Sequence, residues 1–154
     1  RRQYELPNSR IITPAMLAAV EFDLSAGGYR IDQTDAALAE VAIEFDAREL
    51  KSRQERIGTK RFGIETRTQV GTIVKVLSQD HRKRFSLARN GYHPKRVNEM
   101  LSRLSIADGV LSAPSPIELK TSPLGKKNGG PARSEVNEFL SIVVSVIQRQ
   151  RLVR

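Results

Sequence analysis

The chain has 154 residues and carries 26 Lys and Arg against 17 Asp and Glu, a net charge of +9. It is 39% apolar and only 5% aromatic, and it has no cysteine. Disulfide scaffolding and thiolate metal sites are thereby excluded, and two histidines are too few for a histidine-only metal site. An aliphatic core within a single domain is the expectation for this length and composition.

In chain order, residues 1–12 read as an N-terminal arm, and residues 13–154 as a single mainly helical domain. The arm is charged and broken at Pro7 and Asn8. It has no apolar segment behind its charges, so no secretion signal is expected and the cytoplasm or nucleoid is the expected location. No apolar run reaches the roughly 18–20 residues of a membrane span. A first helix is predicted from Thr13, with Pro14 at its first position, to Gly27. A second should start near a cap at Asp32 or Thr34 and run to about Arg56, with Leu38, Ala42 and Phe45 on its apolar stripe. Residues 57–66, with two glycines, read as a turn or short extended piece that carries Lys60 and Arg61 as candidate phosphate contacts.

The charge is segregated. Residues 1–47 hold four Lys/Arg against eight Asp/Glu, whereas residues 48–103 hold fifteen against five. A local basic block of this kind points to a polyanionic partner.

Within that block three short helices are predicted. The first is capped at Thr66 or Thr68 and carries Val70, Ile73 and Leu77. The second starts at Ser78 or Asp80, with Arg82, Lys83, Arg84 and Arg89 outward. Asn90-Gly91 breaks it. The third begins at Pro94, with Val97, Met100, Leu101 and Leu104 inward. Residues 79–104 resemble the broad helix–turn–helix class, with the second helix as brace and the third in the major groove. The resemblance implies phosphate contacts from Arg82, Lys83, Arg84 and Arg89, and base contacts from Lys95, Arg96 and Asn98, with Arg103 further along the same face.

Two strands are expected next, at residues 109–112 and 117–121, turning through 113–116. They would make a wing with Lys120, Lys126 and Lys127 on or beside it. The helix–turn–helix-like segment with its wing thus spans 66–121, and residues 122–132 read as a flexible basic loop. A last helix is capped at Ser134 and is apolar almost all round between Phe139 and Ile147. Such a helix lies in a core or across a homo-oligomer interface. No period of 20–50 residues is evident.

One further pattern bears on chemistry. Asp108 followed by Glu118-Leu119-Lys120 resembles the metal-dependent nuclease core written PD-(D/E)xK, with Ala107 where that motif has proline. It implies a Mg2+ ion held by Asp108 and Glu118 and a water oriented by Lys120. The reading favoured by the whole chain is a mainly α, helical-bundle, non-enzymatic nucleic-acid-binding protein that needs no cofactor. It would be a DNA-binding regulator or a replication or partition factor, with DNA preferred over RNA and no membrane partner. A nucleocapsid or coat protein is the alternative, and the Mg2+-dependent nuclease is the second.

Overall fold

The computed structural model describes residues 26–28 and 30–153. The arm expected at 1–12 and nearly all of the helix expected over 13–27 lie outside the described residues. Five helices and six short strands follow in the described residues. They are α1 Ile31–Ile57, α2 Thr59–Ser78, β1 Leu87–Ala88, β2 Gly91–Tyr92, α3 Pro94–Ser102 and β3 Ser105–Ala107. After these come β4 Val110–Ser112, α4 Pro116–Thr121, β5 Lys126–Lys127, β6 Gly130–Pro131 and α5 Arg133–Val153. The mainly helical class is as expected from the sequence.

Helices α1, α3 and α5 fall where their apolar periodicity put them. Asp32 and Thr34 do not cap α1: the helix already starts at Ile31, and the Thr34 hydroxyl donates back to the Arg30 carbonyl at 3.0 Å. Residues 57–66 are not an extended piece. Gly58, at φ 81° and ψ 152°, is a single-residue hinge in a region open essentially to glycine, and α2 begins at the next residue. Phe62, Thr66, Val70 and Ile73 then form one buried stripe at helical spacing. Thr66 and Thr68 therefore sit inside a helix rather than at its cap, and their hydroxyls bond the carbonyls four residues back.

The second expected helix of the basic block is absent. Residues 81–83 form a turn, and β1 and β2 follow. Asp80 accepts from the Arg82 amide at 2.8 Å and closes an Asx turn, which competes locally with helix. Leu87 is 69% exposed. The expected strand at 117–121 is also corrected, since it is α4. Ser115 caps it by accepting from the Glu118 amide, and Pro116 is at its first position. The hairpin is instead β3–β4, turned through Asp108 and Gly109, both at positive φ.

The stretch 122–132, expected as a flexible loop, contributes β5 and β6, and these reveal a two-copy repeat. Val97-Asn98-Glu99-Met100-Leu101-Ser102 recurs 39 residues later as Val136-Asn137-Glu138-Phe139-Leu140-Ser141. The same offset carries β1 onto β5, β2 onto β6, and Gly91 onto Gly130. The two copies are not stacked. β1 pairs antiparallel with β6 (Leu87 opposite Pro131, Ala88 opposite Gly130), and β2 with β5 (Gly91 opposite Lys127, Tyr92 opposite Lys126). Exchanging the copies turns one pairing into the other, so the two units are related by a local two-fold. Loop bonds obey the same operation: the His93 amide donates to Gly125 O at 3.3 Å, and the Ala132 amide to Ser86 O at 2.8 Å. A Cβ on Gly91 would fall on the Gly130 carbonyl, and one on Gly130 on the Tyr92 carbonyl. Only glycine permits this crossing.

Helix α5 is the centre of the core and packs on α1, α2, α4 and β4. Val136, Phe139, Leu140, Val143, Val144 and Val146 are all buried. Its all-round apolar character is thus met by the chain's own elements. Phe85 and Phe139, one from each unit, meet edge to face at 5.9 Å.

Gly91→Ala should lower unfolding free energy by about 3 kcal/mol through forced overpacking. Gly71→Ala, in an open position inside α2, should raise it by about 0.5–1 kcal/mol. Urea unfolding of the two variants checks the contrast, and equal effects would contradict the crossing.

Candidate nucleic-acid interface

Helix α3 displays its polar side outward because Val97, Met100, Leu101 and Leu104 are drawn into the core. Its N-terminus follows β2, which is paired with β5. Swapped pairing therefore brings Lys127, 33 residues beyond Pro94, beside the start of α3. The Asx turn at Asp80 presents His81 and Arg82 to the same place. The result is an open groove of about 690 Å3, lined by His81, Arg82, His93, Pro94, Lys95, Asn98, Glu99, Ser102 and Lys127. Three cations from three separate segments face one another across it. Glu99 is the one carboxylate in its lining, and it lies 4.0 Å from Lys95 one helical turn away.

The candidate contact residues divide. Arg82, Lys95, Asn98 and Lys127 line this groove. Lys83, Arg89 and Lys126 are exposed on the neighbouring turn and strands. Arg84 is occupied, donating to Leu77 O at 2.9 Å and Gln79 O at 3.2 Å, and so terminates α2. Arg96 donates to Pro123 O at 3.2 Å and ties α3 to the loop before β5. Arg103 pairs with Glu118. Lys60 and Arg61 lie exposed in the first turn of α2 and do not line the groove.

The nuclease-like residues are placed differently from the motif's requirement. Asp108 is in the β3–β4 turn, and Glu118 and Lys120 are on α4. On a strand a Glu-x-Lys pair shares one face, whereas on a helix the two are turned about 200° apart. Glu118 faces Arg103, and Lys120 meets Asp46 at 3.3 Å. Among the described residues no group of three His, Cys, Asp or Glu is arranged to hold a metal ion.

A second concavity, about 380 Å3, lies between α1 and α5 and includes Asp46, Arg53, Gln148 and Arg149. Arg149 is only 6% exposed, with its guanidinium 4.6 Å above the Phe62 ring. Glu65 joins it to α1: Arg53 donates to both Glu65 oxygens at 2.9 and 3.0 Å, and Arg149 Nη1 stands 3.4 Å from Oε2. No local pattern marks this triad, because its members come from three helices.

The Arg53 hydrogen bonds, with help from Arg149, hold the Glu65 carboxyl below its ordinary range. A depressed carboxylate stabilises the fold above its unfolded pKa, and that stabilisation is lost as pH falls through the folded value. Glu65→Gln should therefore lower the melting temperature at neutral pH and flatten its fall on acidification. Thermal melts between pH 7 and pH 2 test this, and parallel curves for the two proteins would refute it.

Among the described residues no helix is long and apolar enough to cross a membrane. No protein-family model, curated protein or solved structure matches this chain.

Proposed function

We propose that the chain is a non-enzymatic nucleic-acid-binding protein, of the DNA-binding regulator, replication or partition kind, that holds its target on the groove beside α3. The observation that supports this reading most is the convergence of Arg82, Lys95 and Lys127 around Asn98. Lysine and arginine side chains spaced along an open groove suit phosphodiester oxygens. An adjacent carboxamide suits a base edge. In place of a bracing helix, the turn at 81–83, Arg89 between β1 and β2, and strand β5 carry the cations offered to the backbone. Helix α3 is the element offered to the target, and the β3–β4 hairpin follows it in the order of a winged variant. DNA is preferred over RNA. A homo-oligomer formed through the C-terminal helix uses the side of α5 that the core leaves exposed.

Electrostatic affinity of this kind falls linearly in log–log form with salt, by about 0.9 per phosphate neutralised on a duplex and about 0.7 on a single strand. Arg82→Ala and Lys127→Ala should each weaken binding and reduce that slope by about one. Lys60→Ala, outside the groove, should leave both unchanged. Anisotropy titrations between 50 and 200 mM salt measure it, the three groove cations giving about a 40-fold range in duplex affinity across that interval. Salt-independent binding, or none, would overturn the reading.

A further inference from the structure

The two units carry the same surface in two states. In the second unit the place is filled. Tyr92 reaches across from β2, its hydroxyl donates to Asn137 Oδ1 at 2.8 Å, and the Arg133 guanidinium carbon lies 5.3 Å from its ring centroid. The local two-fold carries Asn137 onto Asn98, Tyr92 onto Pro131 and Arg133 onto Pro94. Pro131 has no ring long enough to cross to α3, although β6 packs against that helix. The place in front of Asn98 is therefore open groove. Among the described residues the Asn98 carboxamide makes no hydrogen bond. His93, also in the lining, has a buried Nδ1 with no partner. One copy thus shows what the framework accepts: a planar ring whose edge donates to the asparagine carbonyl.

We infer that the open groove receives an unpaired nucleobase in front of Asn98, in the place that the Tyr92 phenol fills in the twin, with the flanking phosphates on Arg82 and Lys127. This rests on the nucleic-acid reading and narrows it to a single strand. Every nucleobase has a flat face, and each presents an N–H edge. In a duplex that edge is paired and the face is stacked, so neither can enter a side groove without unpairing. The Pro94 ring supplies an apolar surface beside the base. Cations on either side of a base pocket are the arrangement that tracks a single-stranded backbone.

The test uses a fluorescein-labelled ten-residue oligothymidylate, whose N3–H is a donor, and its duplex with oligodeoxyadenylate. The single strand should bind about tenfold more tightly than the duplex. Asn98→Ala should lower single-strand affinity about five- to tenfold with the salt slope unchanged, because no phosphate contact is lost. Pro131→Tyr copies the Tyr92 plug into the open groove and should lower affinity about tenfold or more. Tyr92→Phe, in the filled twin, should bind as the unsubstituted chain does. A thermal melt confirms that Pro131→Tyr is folded, and Asn98→Ala carries the test independently if it is not. Salt-dependent binding that both Asn98→Ala and Pro131→Tyr leave intact, or a duplex bound as tightly as the strand, overturns this inference and leaves the nucleic-acid reading standing. Absence of binding to either oligonucleotide overturns both.

Discussion

The crossing of two backbones at Gly91 and Gly130 is the constraint on which the rest of the structure depends. Each glycine lies where a side chain would strike the opposite carbonyl. Strands of two residues contribute few hydrogen bonds of their own and are not stable alone. Here four such strands pair reciprocally, and each is continued by a helix or a loop fixed to the core. The crossing sets where α3 and α5 begin. It also sets which apolar residues meet beneath, including the Phe85–Phe139 contact. Without it α3 would have no fixed direction, and the cations at residues 82, 95 and 127 would not share a groove.

The second organising interaction is electrostatic. Arg149 is buried at the C-terminal end of the central helix, against an aromatic face and one shared carboxylate. A charge in that position is tolerated when a counter-charge and hydrogen bonds accompany it. Glu65 supplies them while also binding Arg53, so α1, α2 and α5 are fastened at one point. This side of the molecule is charge-balanced. The groove on the α3 side keeps an excess of cations, and that difference between the two concavities favours α3 for the polyanion proposed above. The two-fold sharpens the contrast: Lys127 and Lys95 correspond to Ala88 and Ser134, so these two groove cations have no counterpart in the second unit.

Much of the fold was legible in the sequence. The apolar spacing of Leu38–Phe45, Val97–Leu104 and Val136–Ile147 located α1, α3 and α5. The proline at position 94 marked the start of α3. Other signals were present but outweighed. Ser115-Pro116-Ile117-Glu118 has a cap, a first-position proline and an acid three residues on, which is a helix start. Its β-branched and apolar neighbours suggested a strand instead. The stripe of Phe62, Thr66, Val70 and Ile73 extends α2 back to Gly58, but Gly63 obscured it. The six-residue repeat at 97 and 136 was readable by direct comparison. Two copies separated by unlike segments do not show as a period. At the site, Arg82, Lys95, Asn98 and Lys127 were identified as candidates. Nothing local distinguished them from Arg84, Arg96 and Arg103, whose guanidiniums are engaged in holding the fold.

The sequence by itself determined the helical class, the position of the central apolar helix and the concentration of positive charge between residues 48 and 103. These are properties of neighbours within a few residues, where side-chain periodicity and charge act directly. Only the tertiary structure decided that a supposed bracing helix is a turn leading into a short strand, that a supposed loop supplies that strand's partner, and that Lys127 lines the same groove as Asn98. Those outcomes depend on whether two distant backbones can touch, and glycines at positions 91 and 130 leave the space for it. The open groove and its filled twin differ at the position that faces each asparagine, proline at 131 against tyrosine at 92, and at its neighbour, Pro94 against Arg133. That difference acquires meaning once the fold brings each residue opposite its asparagine.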